Sequence, residues 1–371
     1  MWFEWLRGCR LPVVVKWKAA LESPEPRYLI INGQEGEPDT FKDYMLMKKF
    51  PQTVVEGAVI AALALGVDEI IFAINSAYRE CLANIEKAVD EVLLALPELN
   101  RISFRVISGP EPDLYVCGEE TALIEFLENR RGEPQLKPPF PFQSGYKGRP
   151  TVVHNVETVA RIPLMMKDPE LFSGLAKPKL LQLDGAVNKP GIYEARIGTS
   201  LHDLMEMAGG KTGDSCIQAI EVGGMAGGLL PPNVMMLSLE HKVMARHGAM
   251  VGTGSVRFLD EDTNIVDVVL QAMVFFRNES CGRCTPCRVG THELVRIADI
   301  LTARVLADNE RKWLDNITHT MLNTSICGLG KAAPGILVSL LRYWNIKKGQ
   351  AYLKKRYRTQ SVSANDMLTI N

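Results

Sequence analysis

From Tyr28 to about Pro163, short apolar runs alternate with longer stretches whose apolar positions recur every three or four residues. Residues 28–31, 69–74 and 102–107 are bounded apolar runs of strand length. Residues 54–65 and 78–96 carry the helical period, the first Ala-rich and the second charged along one side. Strands alternating with helices predict a mostly parallel sheet covered on its faces. After Tyr115-Val-Cys-Gly118 the pattern predicts a helix over residues 119–129, and Lys137-Pro-Pro-Phe-Pro141 then breaks the regularity. Gly and Pro gather between residues 168 and 178, which predicts a first domain over residues 1–175.

The texture then changes. Residues 180–183 and 192–195, joined by Gly185-Ala-Val-Asn-Lys-Pro-Gly191, read as a β-hairpin, followed by a helix over 200–208 and a strand over 256–259. A small α+β module over residues 176–260 follows from that pattern. Residues 264–277, 289–306, 310–323 and 334–343 space apolar side chains near 3.6 again, so residues 261–350 predict a helical bundle and residues 351–371 a tail. The fold class is thus α/β, then a small mixed module, then helices.

A chain of 371 residues is too long for one ordinary core, in keeping with this division. Its formal charge of −1 gives no electrostatic reason to expect nucleic acid or an anionic membrane as partner. No apolar run reaches the roughly 18 residues of a membrane span, so no direct membrane insertion is expected. Glu4, Arg7, Arg10, Lys16 and Lys18 interrupt the apolar segment that a secretory signal needs. Eight cysteines without an export signal predict a reducing, cytoplasmic setting, at most peripheral to a membrane complex, where thiols hold metals. Cys9, Cys81, Cys117 and Cys216 lack ligand spacing and read as packing residues.

The other four cysteines change the picture. Cys281, Cys284 and Cys287 lie in Glu279-Ser-Cys-Gly-Arg-Cys-Thr-Pro-Cys-Arg-Val-Gly290, two consecutive Cys-x-x-Cys steps, and Cys327 arrives later in Thr324-Ser-Ile-Cys-Gly-Leu-Gly330. Three close thiolates plus one distant member is how a 4Fe-4S cluster is usually held. Structural zinc stands as the alternative, although zinc sites more often pair two Cys-x-x-Cys knuckles.

These cysteine segments, with Gly36-Glu-Pro38, Phe41-Lys-Asp43, Tyr115-Val-Cys-Gly-Glu-Glu-Thr-Ala-Leu123, Lys137-Pro-Pro-Phe-Pro141 and Asn155-Val-Glu-Thr158, carry a resemblance. The chain resembles the NADH-binding flavoprotein component of respiratory complex I, the F subunit of NADH:quinone oxidoreductase, and its relatives in NAD-linked hydrogenases and formate dehydrogenases. The resemblance implies a Rossmann-like domain for FMN and NADH, a β-grasp module and a C-terminal bundle carrying a 4Fe-4S cluster. It implies an oxidoreductase in which hydride passes from NADH to FMN and electrons leave singly through the cluster. The implied partners are a thioredoxin-like 2Fe-2S subunit and further electron-transfer subunits.

The resemblance assigns cofactor contacts to Lys16, Asn32, Glu35, Gly36, Glu37, Tyr115, Gly118, Glu119, Glu120, Lys137, Phe140 and Asn155. Glu119 falls on the flavin side, Glu120 and Glu37 on the nucleotide, and Phe140 on the adenine with Lys137 nearby. Asn32 and Asn155 fall on the flavin. Plainer readings exist for each. Glu119 and Glu120 open a helix, where a carboxylate gains about 0.3–1 kcal/mol from the dipole. Phe140 suits a Pro-rich loop packing one aromatic inward, and asparagines form turns. Gly118, between a strand and a helix, can offer backbone N–H groups to an anion.

The chain also departs from the family pattern. A Gly-rich loop, Gly-Arg-Gly-Gly-Ala-Gly-Phe-Pro, normally precedes a Leu-Lys-Trp; here Val15-Lys16-Trp17 follows Arg7-Gly-Cys-Arg-Leu-Pro-Val-Val14, with one glycine. Val13, Val14 and Val15 favour an extended strand. Gln34, Asp39, Ile74-Asn-Ser76 and His154 replace Asp, Gly, Arg-Gly-Glu and a first Asn. Three readings follow: an NADH dehydrogenase subunit whose gene start is truncated or frame-shifted, a flavin-less relay or assembly subunit, and a four-cysteine zinc scaffold. The joint persistence of Glu37, Glu119, Glu120 and the Lys-Pro-Pro-Phe loop favours the first.

Overall fold

The computed structural model describes residues 13–172, 177–347 and 349–354. They fall into two compact units that divide at residues 173 and 174.

The first unit is built on four parallel strands: β1 (Tyr28–Gly33), β2 (Glu69–Ile74), β3 (Ser103–Ser108) and β4 (Thr151–Asn155), in the order β3-β2-β1-β4. The apolar runs Tyr-Leu-Ile-Ile and Ile-Ile-Phe-Ala-Ile form the two central strands and are buried on both faces, as parallel sheets require. α1 (Val13–Leu21) precedes β1, and α2 (Lys42–Lys49) and α3 (Pro51–Leu65) connect it to β2. α4 (Arg79–Ala95) leads to β3, α5 (Glu120–Leu127) lies between β3 and β4, and α6 (Val156–Ala160) and α7 (Ile162–Lys167) follow β4. α3 starts with Pro51 in its first turn and stops at Gly66, whose φ of 59° is left-handed and costs glycine little. A Cβ on Gly57 would sit 1.9 Å from the Val159 carbonyl oxygen, so only glycine lets α3 pass this close to α6.

The second unit opens with a five-stranded mixed sheet in the order β6-β5-β9-β7-β8. Its strands are β5 (Pro178–Gly185), β6 (Gly191–Arg196), β7 (Ile217–Val222), β8 (Gly228–Leu230) and β9 (Ser255–Asp260). The expected hairpin is antiparallel β5–β6, and β5 also pairs in parallel with β9. α8 (Leu201–Met207) is capped by Ser200, whose hydroxyl accepts the Asp203 N–H, and α9 (His241–Arg246) precedes β9. Four longer helices follow: α10 (Ile265–Glu279), α11 (Thr285–Ala303), α12 (Asp308–Thr324) and, after the one-turn α13 (Gly328–Ala332), α14 (Gly335–Tyr343). The small module and the helices share one compact unit, joined in part where the Leu229 N–H donates to the Ser339 hydroxyl at 2.8 Å.

Several expectations need correction. Residues 13–15 are helical, not extended: each valine costs only a few tenths of a kcal/mol in a helix, and the contacts of Lys16 and Trp17 described below outweigh that. Tyr115–Gly118 is a 3-10 turn, so Gly118 does not follow a strand directly. The expected tail begins inside a hairpin, β10 (Trp344–Lys347) with β11 (Gln350–Leu353), while residues 355–371 lie outside the described residues. Cys81 and Cys117 are buried as expected, but Cys216 is exposed and is not a core packing residue. Cys9 and the Arg7–Pro12 departure lie outside the described residues.

Candidate functional site

The strand order β3-β2-β1-β4 reverses direction between β1 and β4, and in open α/β sheets ligands bind at the carboxyl ends of strands at such a switch point. Asn32 and Asn155 face each other there as register partners. Asn32 Nδ2 donates to the Gly118 carbonyl at 2.9 Å and its Oδ1 accepts the Gln34 N–H at 3.0 Å. The side chain thereby ties the loop after β1 to the turn before α5. Asn155 caps α6 by accepting the Glu157 N–H at 3.0 Å, and its amide donates to Asp43.

The β1 loop is packed closely. A Cβ on Gly36 would lie 3.1 Å from both Tyr115 Cα and Asp113 Oδ2, so glycine there lets two loops touch. Asp39 takes a left-handed φ of 61°, a conformation that glycine adopts freely and that aspartate tolerates. Glu37 is buried. Glu35 accepts the N–H groups of Asp43 at 3.0 Å and Tyr44 at 3.0 Å, satisfying the exposed start of α2. Burial pushes its carboxyl up to about 7, reinforced by Asp43 and opposed by Lys42 and the two N–H donors. Lys42 bridges Asp43 and Glu157, and Glu157 also accepts from Arg161 at 2.6 Å. Lys42, Asp43 and Glu157 went unassigned in the sequence, although Phe41-Lys-Asp43 and Asn155-Val-Glu-Thr158 contained them.

Glu119 is the N-cap of α5 and accepts from Thr121 N–H at 2.8 Å, Ala122 N–H at 3.1 Å and the Thr121 hydroxyl. Lys137 reaches back from the Pro-rich loop to Glu119 and Glu120, both at 2.7 Å, and Lys16 on α1 reaches Glu120 at 2.9 Å. Burial opposes the charge on Glu120, but Lys16 and Lys137 outweigh it and hold the carboxyl below the usual range. Two ammonium groups thus bracket two carboxylates, all four with about a quarter or less of the side chain exposed. Phe140 is half-buried and stacks on Phe142, rings 5.3 Å apart and 5° from parallel. The structure brings Lys16, Glu119, Glu120 and Lys137 into one group, and joins Asn32 to Gly118.

One polar group in this site has no internal explanation. The Gln34 side chain is 7% exposed, and neither its Oε1 nor its Nε2 has a hydrogen-bond partner. A buried amide left in that state costs roughly 1–3 kcal/mol. The amide lies against Gly109, after β3: a Cβ there would stand 2.4 Å from its Oε1 and 2.6 Å from its Nε2, so glycine makes room for it.

His154 fixes α1 in place. Trp17 Nε1 donates to His154 Nε2 at 2.7 Å, which requires the imidazole to be neutral at that nitrogen. Burial lowers its pKa from 6.5 to about 4, with Lys16 adding to the effect and Glu120 opposing it. A folded-state value below the unfolded one means that the unfolded chain binds the extra proton, so stability is full above pH 6.5 and falls as pH drops toward 4. The loss approaches roughly 3 kcal/mol. Urea unfolding at pH 7 and pH 5 should show a smaller pH-dependent loss in His154→Asn than in wild type, and equal losses would refute the assignment.

In the second unit, Ser280 ends α10, Cys281 and Gly282 form a turn with Gly282 at φ 77°, Cys284 is the N-cap of α11, and Cys287 lies in its first turn. The turn is tied by Arg288 Nη1 donating to the Gly282 carbonyl at 2.6 Å. A Cβ on Gly290 would lie 2.3 Å from Met321 Sδ, so α11 packs tightly on α12, whose end delivers Cys327 as the N-cap of α13. Cys287 is 4% exposed, and the Ser280 hydroxyl lies 3.3 Å from its sulfur. Burial pushes the Cys287 thiol up to about 12; Ser280 opposes this, while Cys284, Cys327 and Cys281 add to it. The other three thiols thus all act on Cys287, and a thiolate at that buried position needs a cation. Among the described residues no three ligands already meet at single-ion spacing.

Residues 6–164 match the Nuo51 FMN-binding domain, 180–231 the SLBB domain, and 267–348 the iron-sulfur binding region of NADH-ubiquinone oxidoreductase F. The FMN-binding match spans the segment where the Gly-rich loop is altered. The F subunit of NADH-quinone oxidoreductase of Aquifex aeolicus is 33% identical over 363 residues, covering 94% of this chain and 83% of that protein. The HndC subunit of the NADP-reducing hydrogenase of Solidesulfovibrio fructosivorans is 32% identical, covering 90% of this chain and 71% of that one. The crystal structure of NAD+-reducing [NiFe]-hydrogenase in the H2-reduced state superposes with a TM-score of 0.81 at 33% identity, over 91% of this chain and 58% of the hydrogenase chain. With a switch-point site in one unit, four cysteines at the starts of α11 and α13 in the other, and matches along nearly the whole length, this chain belongs to the family of NADH-quinone oxidoreductase F subunits.

Proposed function

We propose that this chain is the electron-input subunit of a multi-subunit NADH dehydrogenase-type complex, oxidising NADH with FMN and passing electrons through a 4Fe-4S cluster to a partner. The observation that carries this reading is the presence in one chain of a switch-point site framed by Asn32 and Asn155, and of four cysteines carried at the packed starts of α11 and α13. A flavin supplies the step from a two-electron hydride donor to one-electron transfer.

The residues divide the work as follows. Asn32, Asn155 and the backbone of Gly36, Tyr115 and Gly118 line the switch point and hold the flavin. Glu35 and Glu119 anchor the helix starts that frame it. Glu120 and Glu37 accept hydrogen bonds from nucleotide hydroxyls, and Phe140 offers a ring to the adenine. Lys16 and Lys137 keep Glu120 ionised, and so ready to accept. Carboxylates at this point suit ribose hydroxyls and disfavour an additional phosphate. Cys281, Cys284, Cys287 and Cys327 are the cluster ligands. Among the described residues no helix is long and apolar enough to cross a membrane, in keeping with a role peripheral to the membrane. The partner is an iron-sulfur subunit able to take one electron at a time.

Cofactor content tests this directly. Anaerobically purified chain should release one fluorescent flavin on acid treatment and contain four irons with acid-labile sulfide. Brown protein without flavin would favour a relay subunit, and colourless protein with stoichiometric zinc a scaffold; either would overturn the proposal.

A further inference from the structure

Beside Cys287 lies a buried side chain whose hydroxyl has nothing in the polypeptide to bond. Ser325 follows α12 and is 4% exposed, yet its hydroxyl has no hydrogen-bond partner. The serine is held in place by its backbone, whose N–H donates to the Met321 carbonyl at 3.1 Å. Gly330 on α13 locates it relative to the thiols: a Cβ on Gly330 would lie 2.6 Å from Ser325 Oγ and 2.9 Å from Cys287 Cβ. Both atoms press on the same point, so the hydroxyl stands no more than about 5.5 Å from the Cβ of the most buried of the four cysteines. The absence of a side chain at Gly330 is what lets Ser325 and Cys287 come this close.

On another side of the same cysteine, the Ser280 hydroxyl lies 3.3 Å from Cys287 Sγ, while its own oxygen accepts the Gly282 N–H at 3.3 Å. That hydroxyl is therefore already engaged with sulfur in the polypeptide itself. Ser325 differs in having nothing in the polypeptide to bond. A buried hydroxyl is normally satisfied, and one left without a partner costs stability unless a bound group supplies an acceptor. Sulfur atoms of a cluster are such acceptors, and hydrogen bonds to them are one of the levers that set a cluster's reduction potential.

We infer that Ser325 is a positioning residue for the cluster: its hydroxyl donates to a sulfur at the corner carried by Cys287, stabilising the more negative, reduced cluster and raising its potential. This rests on the assignment of the four cysteines as cluster ligands. The hydrogen bond favours the reduced state because the added electron increases negative charge on the sulfurs, strengthening a charge-assisted bond. Through it the residue would tune how readily electrons enter the cluster.

The test uses the full chain with its cluster, in wild-type, Ser325→Ala and Ser325→Thr forms. Redox titration followed by electron paramagnetic resonance should give Ser325→Ala a midpoint potential below wild type at unchanged iron content, with Ser325→Thr restored toward wild type. Electron-nuclear double resonance in heavy water should show one strongly coupled exchangeable proton in wild type that Ser325→Ala lacks. An unchanged potential and proton spectrum in Ser325→Ala would overturn the inference, as would loss of iron from that variant, which would make the hydroxyl an assembly feature. Absence of iron from the wild type itself would instead sink the cluster assignment on which the inference stands.

Discussion

Cys284→Ala is expected to lose the cluster's absorption and paramagnetic signal while NADH still bleaches the flavin. Three thiolates cannot close the ligand set of a 4Fe-4S cube, and since the Cys284 side chain makes no capping bond to α11, its loss should be felt at the cluster and not in the helix. Changes even outside a metal's direct ligands cost about 10- to 100-fold, so electron delivery to a one-electron partner should fall by more than about 100-fold. Stopped-flow flavin reduction should remain near wild type, because the switch-point site belongs to the other compact unit. Cys216→Ala is the control: that thiol is exposed and stands apart from the ligand set, so cluster and rate should be unchanged. Retention of the cluster in Cys284→Ala, or loss of flavin reduction by NADH, would contradict the division of labour between the two units.

Glu120→Ala is expected to have the second largest effect, on the nucleotide. It removes the carboxylate that Lys16 and Lys137 both engage, at 2.9 and 2.7 Å, and leaves two ammonium groups with one fewer counter-charge in a half-buried site. A hydrogen bond to a charged group contributes roughly 1.5–3 kcal/mol, so the KM for NADH should rise about 10- to 100-fold. Reduction by dithionite, which needs no ribose contact, should change much less. Equal losses with both donors would place Glu120 in the general integrity of the site instead of on the nucleotide. The variant should also accept NADPH relatively better than wild type does, since a carboxylate that repels the additional phosphate is gone.

Much of the fold was legible because apolar runs and helical periods are strong local signals. The central strands needed only Tyr-Leu-Ile-Ile and Glu-Ile-Ile-Phe-Ala-Ile, and α4 and α10 differ from their expected spans by a few residues at most. β4 was not predicted, because Thr-Val-Val-His-Asn is short and becomes a strand through its pairing with β1. α1 misled for a related reason. Three consecutive valines favour strands locally, but the Trp17–His154 and Lys16–Glu120 bonds come from residues more than a hundred positions away. α2 was hidden by its charge, which becomes intelligible only when Glu35 caps its start and Asp43 meets Asn155.

The candidate site divides in the same way. The cysteines were readable because ligand spacing lies within the sequence, and Glu119 and Glu120 because they open a helix. Their engagement by Lys137 and Lys16 was not, since a Pro-rich loop and a preceding helix must fold onto one point before the pairs exist. Gln34 is the sharpest case. In the sequence it is merely a departure from the family aspartate; in the structure it is a buried amide with both polar atoms unsatisfied. Likewise Asp39 departs in identity but takes a left-handed φ of 61°, where glycine is at ease.

On the proposed function, hydride enters this chain from NADH and electrons leave singly through a cluster held by its last four-thiol set; adding NADH anaerobically to the purified chain puts both halves of that proposal to the test at once. Optical and paramagnetic spectra would be followed together. Flavin bleaching should be accompanied by the signal of a reduced 4Fe-4S cluster. Protein that carries flavin and iron yet shows neither change on NADH addition would contradict it.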